Sequence, residues 1–409
     1  EALTTIASAV QFLEAEPDMK FTRSSAAVYR WIQESDPGLF ARLRKLVDAG
    51  RWEVVNGWEV QPDCNLPLGE SFIRQSLYGK QWFQEQLGAD VTIGYNVDTF
   101  GHAGNLPQIL KQSGFDAYVC MRPFNDPAGR PYPNLFWWES PDGSRILCWR
   151  IPRTYGQPPG ATPDDLEAQL REEADQSFAP GIRHAPFFLG VGNHGGGPTR
   201  RQIDRIRRLQ EDTGLPELRF STMRDYFDTV QHEDGFADIP VHREGIQYIN
   251  VGCYAAHGRI KRACRRTERQ LLKAEVADSM LELSGLSPTV PGENPRLEAW
   301  RSVLFNQFHD ILGGTCIQSA DESIMDQFGH AGHIAEASAD RSFHALSRQI
   351  DTSWISEGAL VLFNPLPWER RASVAFDTFV EPTGEEGITH LRDADGRRYP
   401  IQWTPSEAC

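Results

Sequence analysis

The segment Tyr95–Leu110, YNVDTFGHAGNLPQIL, places one carboxylate between a strand and a helix. Asp98 follows the apolar run Val91–Tyr95, and a helix is predicted to begin near Leu106 and Pro107. A carboxylate at the carboxyl end of a strand lies at the edge of an α/β sheet where ligands bind. An isolated Asp at such a position more often caps a helix or satisfies a loop. Asp98 is therefore a candidate for chemistry only in combination with other groups.

A second candidate is the pair His309 and Asp310, in the apolar segment LFNQFHDILGGT. The pattern predicts a helix over Pro295–Leu312, with the pair near its C-terminal end and two glycines after it. Neutral imidazole is a common zinc donor, so His309 is a candidate metal ligand. A single histidine on such a helix is more often a hydrogen-bonded core residue, and both interpretations stay open.

The glycine-rich loop Gly190–Thr199, GVGNHGGGPT, is predicted to connect a strand to a helix that begins near Thr199. Such loops often bind phosphate, but this one lacks the lysine of a P-loop, and its glycine spacing differs from the dinucleotide fingerprint. We therefore expect the loop to present Asn193 and His194 to a ligand at the edge of the sheet.

A further polar segment, Trp58–Gln75, carries side chains that suit a hydroxyl-rich pocket. These side chains are Glu59, Asp63, Asn65 and Glu70. The same residue types are common in turns and helix caps, so their role also stays open.

Composition restricts the class of protein. A chain of 409 residues is too long for one ordinary core and predicts two or three domains. The net charge of -15 argues against a nucleic-acid partner, because phosphate binding needs a positive field. No apolar run approaches the roughly 20 residues that cross a bilayer. The seven cysteines are scattered, which favours reduced thiols and a cytoplasmic location.

The hydrophobic periodicity divides the chain into three regions. Residues 1–257 alternate short apolar runs with helical segments, which predicts an α/β domain with a mostly parallel sheet, either doubly wound or an incomplete barrel. Residues 258–351 predict three helices, and residues 352–409 indicate the start of a β-sandwich. The predicted strands are Trp52–Val55, Val91–Tyr95, Ala117–Cys120, Ile146–Ile151 and Pro186–Gly190, followed by ALVLFNPLPWE, ASVAF and a short strand after the turn Asp393–Gly396. The predicted helices are Pro37–Ala49, Gly69–Leu87, Leu106–Ser113, Pro163–Asp175, Thr199–Thr213, Arg259–Ser284, Pro295–Leu312 and Ile317–Ile350.

Six segments, in this order, resemble the α-mannosidases of glycoside hydrolase family 38. They are WEVQPDCNLPLGES, YNVDTFGHAGNLPQIL, GVGNHGGGPT, YAAHGRIKRACRRTERQLLKAE, LFNQFHDILGGT and ALVLFNPLPWERR. The resemblance implies a zinc-dependent retaining exo-glycosidase whose partner is a mannose-containing oligosaccharide or glycoside. It also implies a seven-stranded β/α barrel-like catalytic domain, a three-helix middle domain and a β-sandwich region. Self-association into a homo-oligomer is a further expectation, from the apolar middle region.

The resemblance also assigns roles to individual residues. Asp98 matches the catalytic nucleophile, which in the family also binds zinc, and His309 matches a second zinc ligand. Arg122, in VCMRPF, matches an active-site arginine, and Asp310 matches a residue that contacts the sugar. A retaining glycosidase places its nucleophile and its proton donor roughly 5–5.5 Å apart.

Two departures from the family pattern matter. The family takes two further zinc ligands from a His-x-Asp motif that would precede Glu1, so we expect the chain as given to bind zinc poorly and to be inactive by itself. The family also has an Asp in the glycine-rich loop, where this chain has Asn193 and His194. His194 is the nearest titratable group and is a candidate general acid. It is also a candidate for substrate orientation only.

Two alternatives to the mannosidase stay open at this stage. A metal-dependent carbohydrate deacetylase would also use an Asp and zinc at the end of a strand, but it leaves the helical and β regions unexplained, and no HxxxH-type ligand pair is found. A non-catalytic carbohydrate-binding protein on the same scaffold would explain the unusual Asn193 and His194.

Overall fold

A computed structural model of the chain describes residues 2–158, 160–176, 178–192, 196–247, 249–287, 294–355, 358–376 and 390–403. The chain divides into two compact units, Glu1–Trp354 and Ile355–Cys409. None of the helices in these ranges has both the length and the apolar character that a membrane crossing requires. The six cysteines that these ranges contain are free thiols, in agreement with the expectation of a reduced protein.

Short strands alternate with helices in the first part of the larger unit. In chain order the elements are α1 (Ala2–Ala15), β1 (Phe21–Ser24), α2 (Ala26–Ser35), α3 (Pro37–Asp48), β2 (Trp52–Val55), α4 (Gly69–Leu87), β3 (Ile93–Asn96), α5 (Leu106–Gln112), β4 (Ala117–Cys120), β5 (Leu135–Glu139) and β6 (Arg145–Arg150). The later elements are α6 (Pro163–Ala174), α7 (Arg200–Leu209), α8 (Met223–Val230), β7 (Val241–His242), α9 (Gly258–Leu283), α10 (Pro295–Phe305), α11 (His309–Leu312), α12 (Gln318–Ser347), β8 (His390–Arg392) and β9 (Arg398–Pro400).

The strands β1 to β7 form two sheets within the described residues, and they do not confirm the prediction of one seven-stranded barrel-like sheet. β1 and β2 form a parallel pair, and the other five strands form a sheet in the order β3-β4-β6-β5-β7. All neighbours in that sheet are parallel except β5 and β6, which form a hairpin. The two sheets approach each other where Asn56 N–H donates to the Ile93 carbonyl over 2.7 Å. The hairpin introduces an antiparallel strand because its turn is too short for a helical crossover.

Two apolar cores hold these layers together. β4 lies inside the five-stranded sheet with all four of its residues buried, as expected of a strand covered on both faces. One core packs Val119 and Trp149 against Phe227 of α8. The other core joins α1, α2, α3 and α4 to β2. Its largest members include Tyr29, Leu43, Trp52, Trp82 and Phe83.

Helix α4 packs against the chain that follows β2 at very short range. A Cβ added to Gly79 would lie 2.3 Å from the Gly57 carbonyl oxygen, so only glycine fits at this position. The helix ends at Gly88, whose φ of 64° lies in the left-handed region and terminates the helix as a C-cap. This contact fixes the start of the segment that leads from β2 into α4.

Helices α9, α10 and α12 share a third apolar core. Leu271, Trp300 and Phe328 are buried in it, one from each helix. The prediction of one helix over Pro295–Leu312 is wrong, because the helix breaks at residues 306–308 and resumes as α11. The three long helices share one core and α11 is a separate single turn, so the three-helix middle domain over residues 258–351 stays a prediction.

Several predictions of strands are also wrong. Residues 186–190 are irregular, and so are residues 358–376, which include the two predicted strands of the C-terminal region. In the smaller unit, β8 and β9 form an antiparallel hairpin around the predicted turn Asp393–Gly396, where Gly396 N–H donates to the Asp393 carbonyl over 3.0 Å. The β-sandwich and the domain boundaries at residues 257 and 351 stay predictions.

Candidate active site

Asp98 and Arg122 meet because two neighbouring parallel strands end in register. Asn96, the last residue of β3, is paired with Cys120, the last residue of β4. Asp98 and Arg122 each lie two residues beyond these positions, at the same edge of the sheet. Arg122 Nε is 2.9 Å from Asp98 Oδ1. The site therefore begins as a carboxylate and a guanidinium at the carboxyl ends of adjacent strands, where ligands of α/β proteins bind.

His309 reaches the same carboxylate from the helical region. Its Nε2 lies 3.7 Å from Asp98 Oδ2, and its side chain is only 7% exposed against 26% for Asp98. The sequence predicts His309 near the end of a long helix, but in the structure it is the first residue of α11. Its Nδ1–H donates to the Gln61 carbonyl over 2.7 Å. When the ring is neutral, Nε2 therefore carries the lone pair, and it faces Asp98.

Opposing effects act on the His309 imidazole. Burial lowers its pKa, whereas the nearby Asp98 carboxylate, the Gln61 carbonyl and the charge of Asp310 raise it, and the sum is a raised pKa. The ring is therefore placed in a negative environment. Such an environment favours a bound cation, whether that cation is a proton or a metal ion.

The Asp98 carboxylate is incompletely satisfied. Its Oδ1 is buried and accepts no hydrogen bond from the described residues, and its 2.9 Å contact with Arg122 Nε is an ion pair. Its Oδ2 is beyond hydrogen-bond distance of His309. Buried polar atoms are normally bonded, so this carboxylate oxygen is a candidate to bind a ligand.

Asp98 and His309 together supply two donor atoms for a metal ion, fewer than a zinc site requires. Tetrahedral zinc with ligands at ~2.0–2.2 Å separates neighbouring ligand atoms by roughly 3.4 Å. The observed 3.7 Å between Asp98 Oδ2 and His309 Nε2 is close to that separation. The described residues contain no group of three or more His, Cys, Asp or Glu side chains arranged to hold a metal. Asp98 and His309 are thus two donors at a spacing that fits part of a zinc site.

The other predicted site residues are only partly described. Asp310 follows His309 directly and is exposed, with Thr315 Oγ1 donating to its Oδ1 over 3.3 Å. Asn193 and His194 lie outside the described residues. The glycine-rich loop that carries them leaves the described chain at Gly192, whose N–H donates to the Gln157 carbonyl over 2.7 Å.

Two of the candidate pocket residues form ion pairs away from this site. Glu59 is buried and pairs with Arg30, and Arg30 Nη1 donates to its Oε2 over 2.9 Å. Glu70 pairs with Arg74 one helical turn later, at 2.8 Å. The structure places both carboxylates in structural contacts rather than in a common pocket.

Asp63 and Asn65 organise the chain between β2 and α4. Asp63 Oδ1 accepts hydrogen bonds from the backbone N–H groups of Asn65 and Leu66, each at 2.8 Å, which is an Asx turn. Burial raises the pKa of Asp63 against the effect of those donors. Asn65 Nδ2 donates to the Tyr254 hydroxyl over 2.7 Å. The turn interpretation of Asp63 is therefore the one that the contacts support.

His102 holds the backbone of Arg122 through a buried hydrogen bond. It is fully buried, its Nε2–H donates to the Arg122 carbonyl over 3.0 Å, and its Nδ1 accepts from the Tyr118 hydroxyl over 3.0 Å. Burial lowers the pKa of His102 to about 4, so the ring is neutral at pH 7. The sequence motif contained this histidine, but only the fold shows that it holds the backbone of Arg122.

Phe100 and Gln61 also contact the site residues. The Arg122 guanidinium lies 6.0 Å from the centre of the Phe100 ring, within cation–π range. Gln61 accepts the His309 hydrogen bond described above. Phe100 follows Asp98 by two residues, so its closeness was visible in the sequence, whereas Gln61 is 248 residues from His309.

Two family models match consecutive parts of the chain. The family model described as "Glycosyl hydrolases family 38 N-terminal domain" matches residues 1–248, and "Alpha mannosidase middle domain" matches residues 250–346. Alpha-mannosidase 2C1 of Homo sapiens is 30% identical over 369 residues, which cover 89% of this chain and 34% of the human protein. Alpha-mannosidase G of Dictyostelium discoideum is 31% identical over 322 residues, covering 77% of this chain and 28% of that protein.

The fold has a counterpart among solved structures. The crystal structure of an α-mannosidase from Enterococcus faecalis V583 superposes with a TM-score of 0.75 at 23% identity, covering 87% of this chain and 41% of that one. At this identity the likeness shows the fold alone. The chain spans about a third of the length of the curated relatives that it matches. Because one family model matches more than half of it, the chain belongs to the glycosyl hydrolases of family 38.

Proposed function

We propose that the protein containing this chain is a zinc-dependent α-mannosidase that removes terminal α-mannosyl residues with retention of configuration. The observation that carries the proposal is the convergence of Asp98, Arg122 and His309, from two strands and a helix, at one sheet edge. Membership of family 38 and the names of the relatives support the substrate class. The partner would be a mannose-containing oligosaccharide or glycoside.

Asp98 would act as the nucleophile. Its carboxylate would attack the anomeric carbon of the mannosyl unit while the glycosidic bond breaks and the leaving oxygen takes a proton from the general acid. Water, deprotonated by the same group acting as base, would then hydrolyse the covalent glycosyl-Asp intermediate and release mannose. Arg122 would orient Oδ1 and balance the negative charge of the site, as its 2.9 Å contact allows. Asp310, which is exposed beside His309, would accept hydrogen bonds from sugar hydroxyls.

Asp98 and His309 would hold the zinc ion together with ligands beyond those described. When bound, the ion would act as a Lewis acid on two adjacent sugar hydroxyls and so favour mannose, whose 2-hydroxyl is axial. His309 is prepared for this role because its Nδ1–H is engaged by Gln61, which leaves Nε2 as the donor.

The second catalytic group would come from the glycine-rich loop. We assign the general acid to His194 and a substrate contact to Asn193, because His194 is the titratable residue of that loop. A His194→Gln variant would test this assignment. If His194 is the general acid, we expect the variant to lose turnover of a mannoside with a poor leaving group. We expect a much smaller loss with an activated aryl leaving group. An equal loss with both would contradict it.

The main test uses the full-length protein and an aryl α-mannoside. We expect turnover that a chelator abolishes and zinc restores, and a loss on the order of 10³-fold or more in Asp98→Asn. Asp116→Asn is a matched control, because Asp116 also pairs with an arginine, Arg224, at 3.0 Å but lies at the opposite end of β4. Turnover that survives thorough chelation would refute zinc dependence. Sugar binding without turnover would favour the non-catalytic alternative.

A further inference from the structure

We infer that Gln61 is a positioning residue that fixes Asp98 and His309 relative to each other. The inference rests on the proposed function, because it concerns the same pair of residues. It goes beyond that proposal by assigning the placement of the pair to one amide residue on a third segment, between β2 and α4.

The backbone of Gln61 holds His309. Residues 61–63 run antiparallel to residues 307–309, with an isolated bridge between Pro62 and Phe308. His309 N–H donates to the Gln61 carbonyl over 3.2 Å, and Asp63 N–H donates to the Gln307 carbonyl over 2.9 Å. The same Gln61 carbonyl also accepts the His309 Nδ1–H at 2.7 Å. One carbonyl therefore fixes both the backbone and the ring of His309.

The side chain of Gln61 holds the strand that carries Asp98. Its Oε1 accepts the backbone N–H of Val97, the residue before Asp98, over 3.1 Å. Its Nε2 donates to Ser24 Oγ, at the end of β1, over 2.8 Å. The amide oxygen of Gln61 therefore bonds to the chain at the end of β3, and its amide nitrogen bonds to the end of β1. A glutamine amide supplies both groups at once.

These contacts make the 3.7 Å separation of Asp98 and His309 depend on Gln61. Groups that orient metal ligands typically change metal affinity 10–100-fold when they are removed. Small displacements of catalytic groups reduce rates by comparable factors. A residue with a merely structural role would instead lower the stability of the protein and leave these two quantities unchanged.

The test compares three variants of the full-length protein. Gln61→Met removes both side-chain hydrogen bonds at similar volume. Ser24→Ala removes only the Ser24 acceptor and leaves Gln61 in place, so it remains informative if Gln61→Met fails to fold. Gln33→Met is the control, because Gln33 Nε2 donates to Gln86 Oε1 over 2.8 Å in a glutamine pair outside the site.

The readouts are zinc affinity by competition with a chelator, kcat and KM on an aryl α-mannoside, and the NMR signal of the His309 Nδ1 proton in the metal-free protein. For Gln61→Met we expect zinc affinity to fall 10–100-fold, kcat to fall more than KM changes, and the Nδ1 proton signal to exchange faster with water. Ser24→Ala should show the same changes at smaller size, and Gln33→Met none.

The outcomes separate this inference from the proposed function. If the unmodified protein binds zinc and turns over mannosides, but Gln61→Met and Ser24→Ala match it in zinc affinity and kcat, only the role of Gln61 is overturned. If the unmodified protein shows neither zinc binding nor turnover, the proposed function fails and this inference fails with it.

Discussion

Acid should destabilise the fold through His102. This ring is fully buried between the Arg122 carbonyl and the Tyr118 hydroxyl, and burial lowers its pKa from the ordinary 6.5 to about 4. A depressed pKa means that the unfolded chain takes up the proton first. The stability that depends on a neutral ring is therefore present above pH 6.5 and is lost as the pH falls towards 4.

The size of the effect follows from the two pKa values. With 6.5 in the unfolded chain and about 4 in the fold, His102 alone would reduce the free energy of unfolding by about 2 kcal/mol at pH 5 and about 3 kcal/mol at pH 4, relative to pH 7. Buried carboxylates also titrate in this range, so a comparison with a variant is needed to isolate the histidine.

His102→Gln supplies that comparison, because glutamine keeps a donor and an acceptor and does not titrate. Urea unfolding at pH 7, 6, 5 and 4 should show a smaller acid-induced loss in the variant, by about 2 kcal/mol at pH 5. His333→Gln, at an exposed position of α12, should behave like the unmodified protein. Equal pH dependence in His102→Gln and the unmodified protein would refute the argument from burial.

Three further predictions concern stability and are measured by urea unfolding at pH 7. Gly79→Ala should lower the free energy of unfolding by about 1–3 kcal/mol, because the added Cβ would clash with the Gly57 carbonyl. An unchanged urea midpoint would mean that α4 can shift to accommodate the Cβ. Asp278→Ala should lower the free energy of unfolding by about 2–3 kcal/mol, because the buried carboxylate pairs with the partly exposed Arg296 and accepts hydrogen bonds from two serines of α12. Asp278→Asn should lower the free energy of unfolding by less. Thr162→Ala should lose about 1 kcal/mol by removing the capping box of α6, and Thr162→Ser should restore it; failure of serine to do so would argue against capping.

Much of the fold could be predicted from local patterns. The bounds of Gly69–Leu87, Trp52–Val55 and Ala117–Cys120 agree with α4, β2 and β4, because caps, glycines and β-branched or aromatic runs act within a few residues. Strands β1, β5, β7 and β8 were not predicted. β1 has only four residues, and β5 is defined by its pairing with β6 rather than by alternation.

The site shows the same division. The sequence indicated Asp98, Arg122, His309 and Asp310 as site residues. In the structure, Arg122 and His309 each lie within ion-pair distance of Asp98. Sequence reasoning overlooked Gln61, since its hydrogen bonds to Val97 and His309 join distant segments. The roles of these residues, and of Asn193 and His194, stay proposals until the variants are measured.

By itself the sequence determined where helices start and stop and which polar residues follow apolar runs, because these depend on neighbours along the chain. Only the tertiary structure decided that the helix after Pro295 breaks before His309. The backbone groups of Gln307 and His309 bond to the 61–63 segment there instead of continuing the helix. The register of β3 with β4 likewise decided that Asp98 faces Arg122. Hydrogen bonds between distant segments set both features, and no local pattern encodes them.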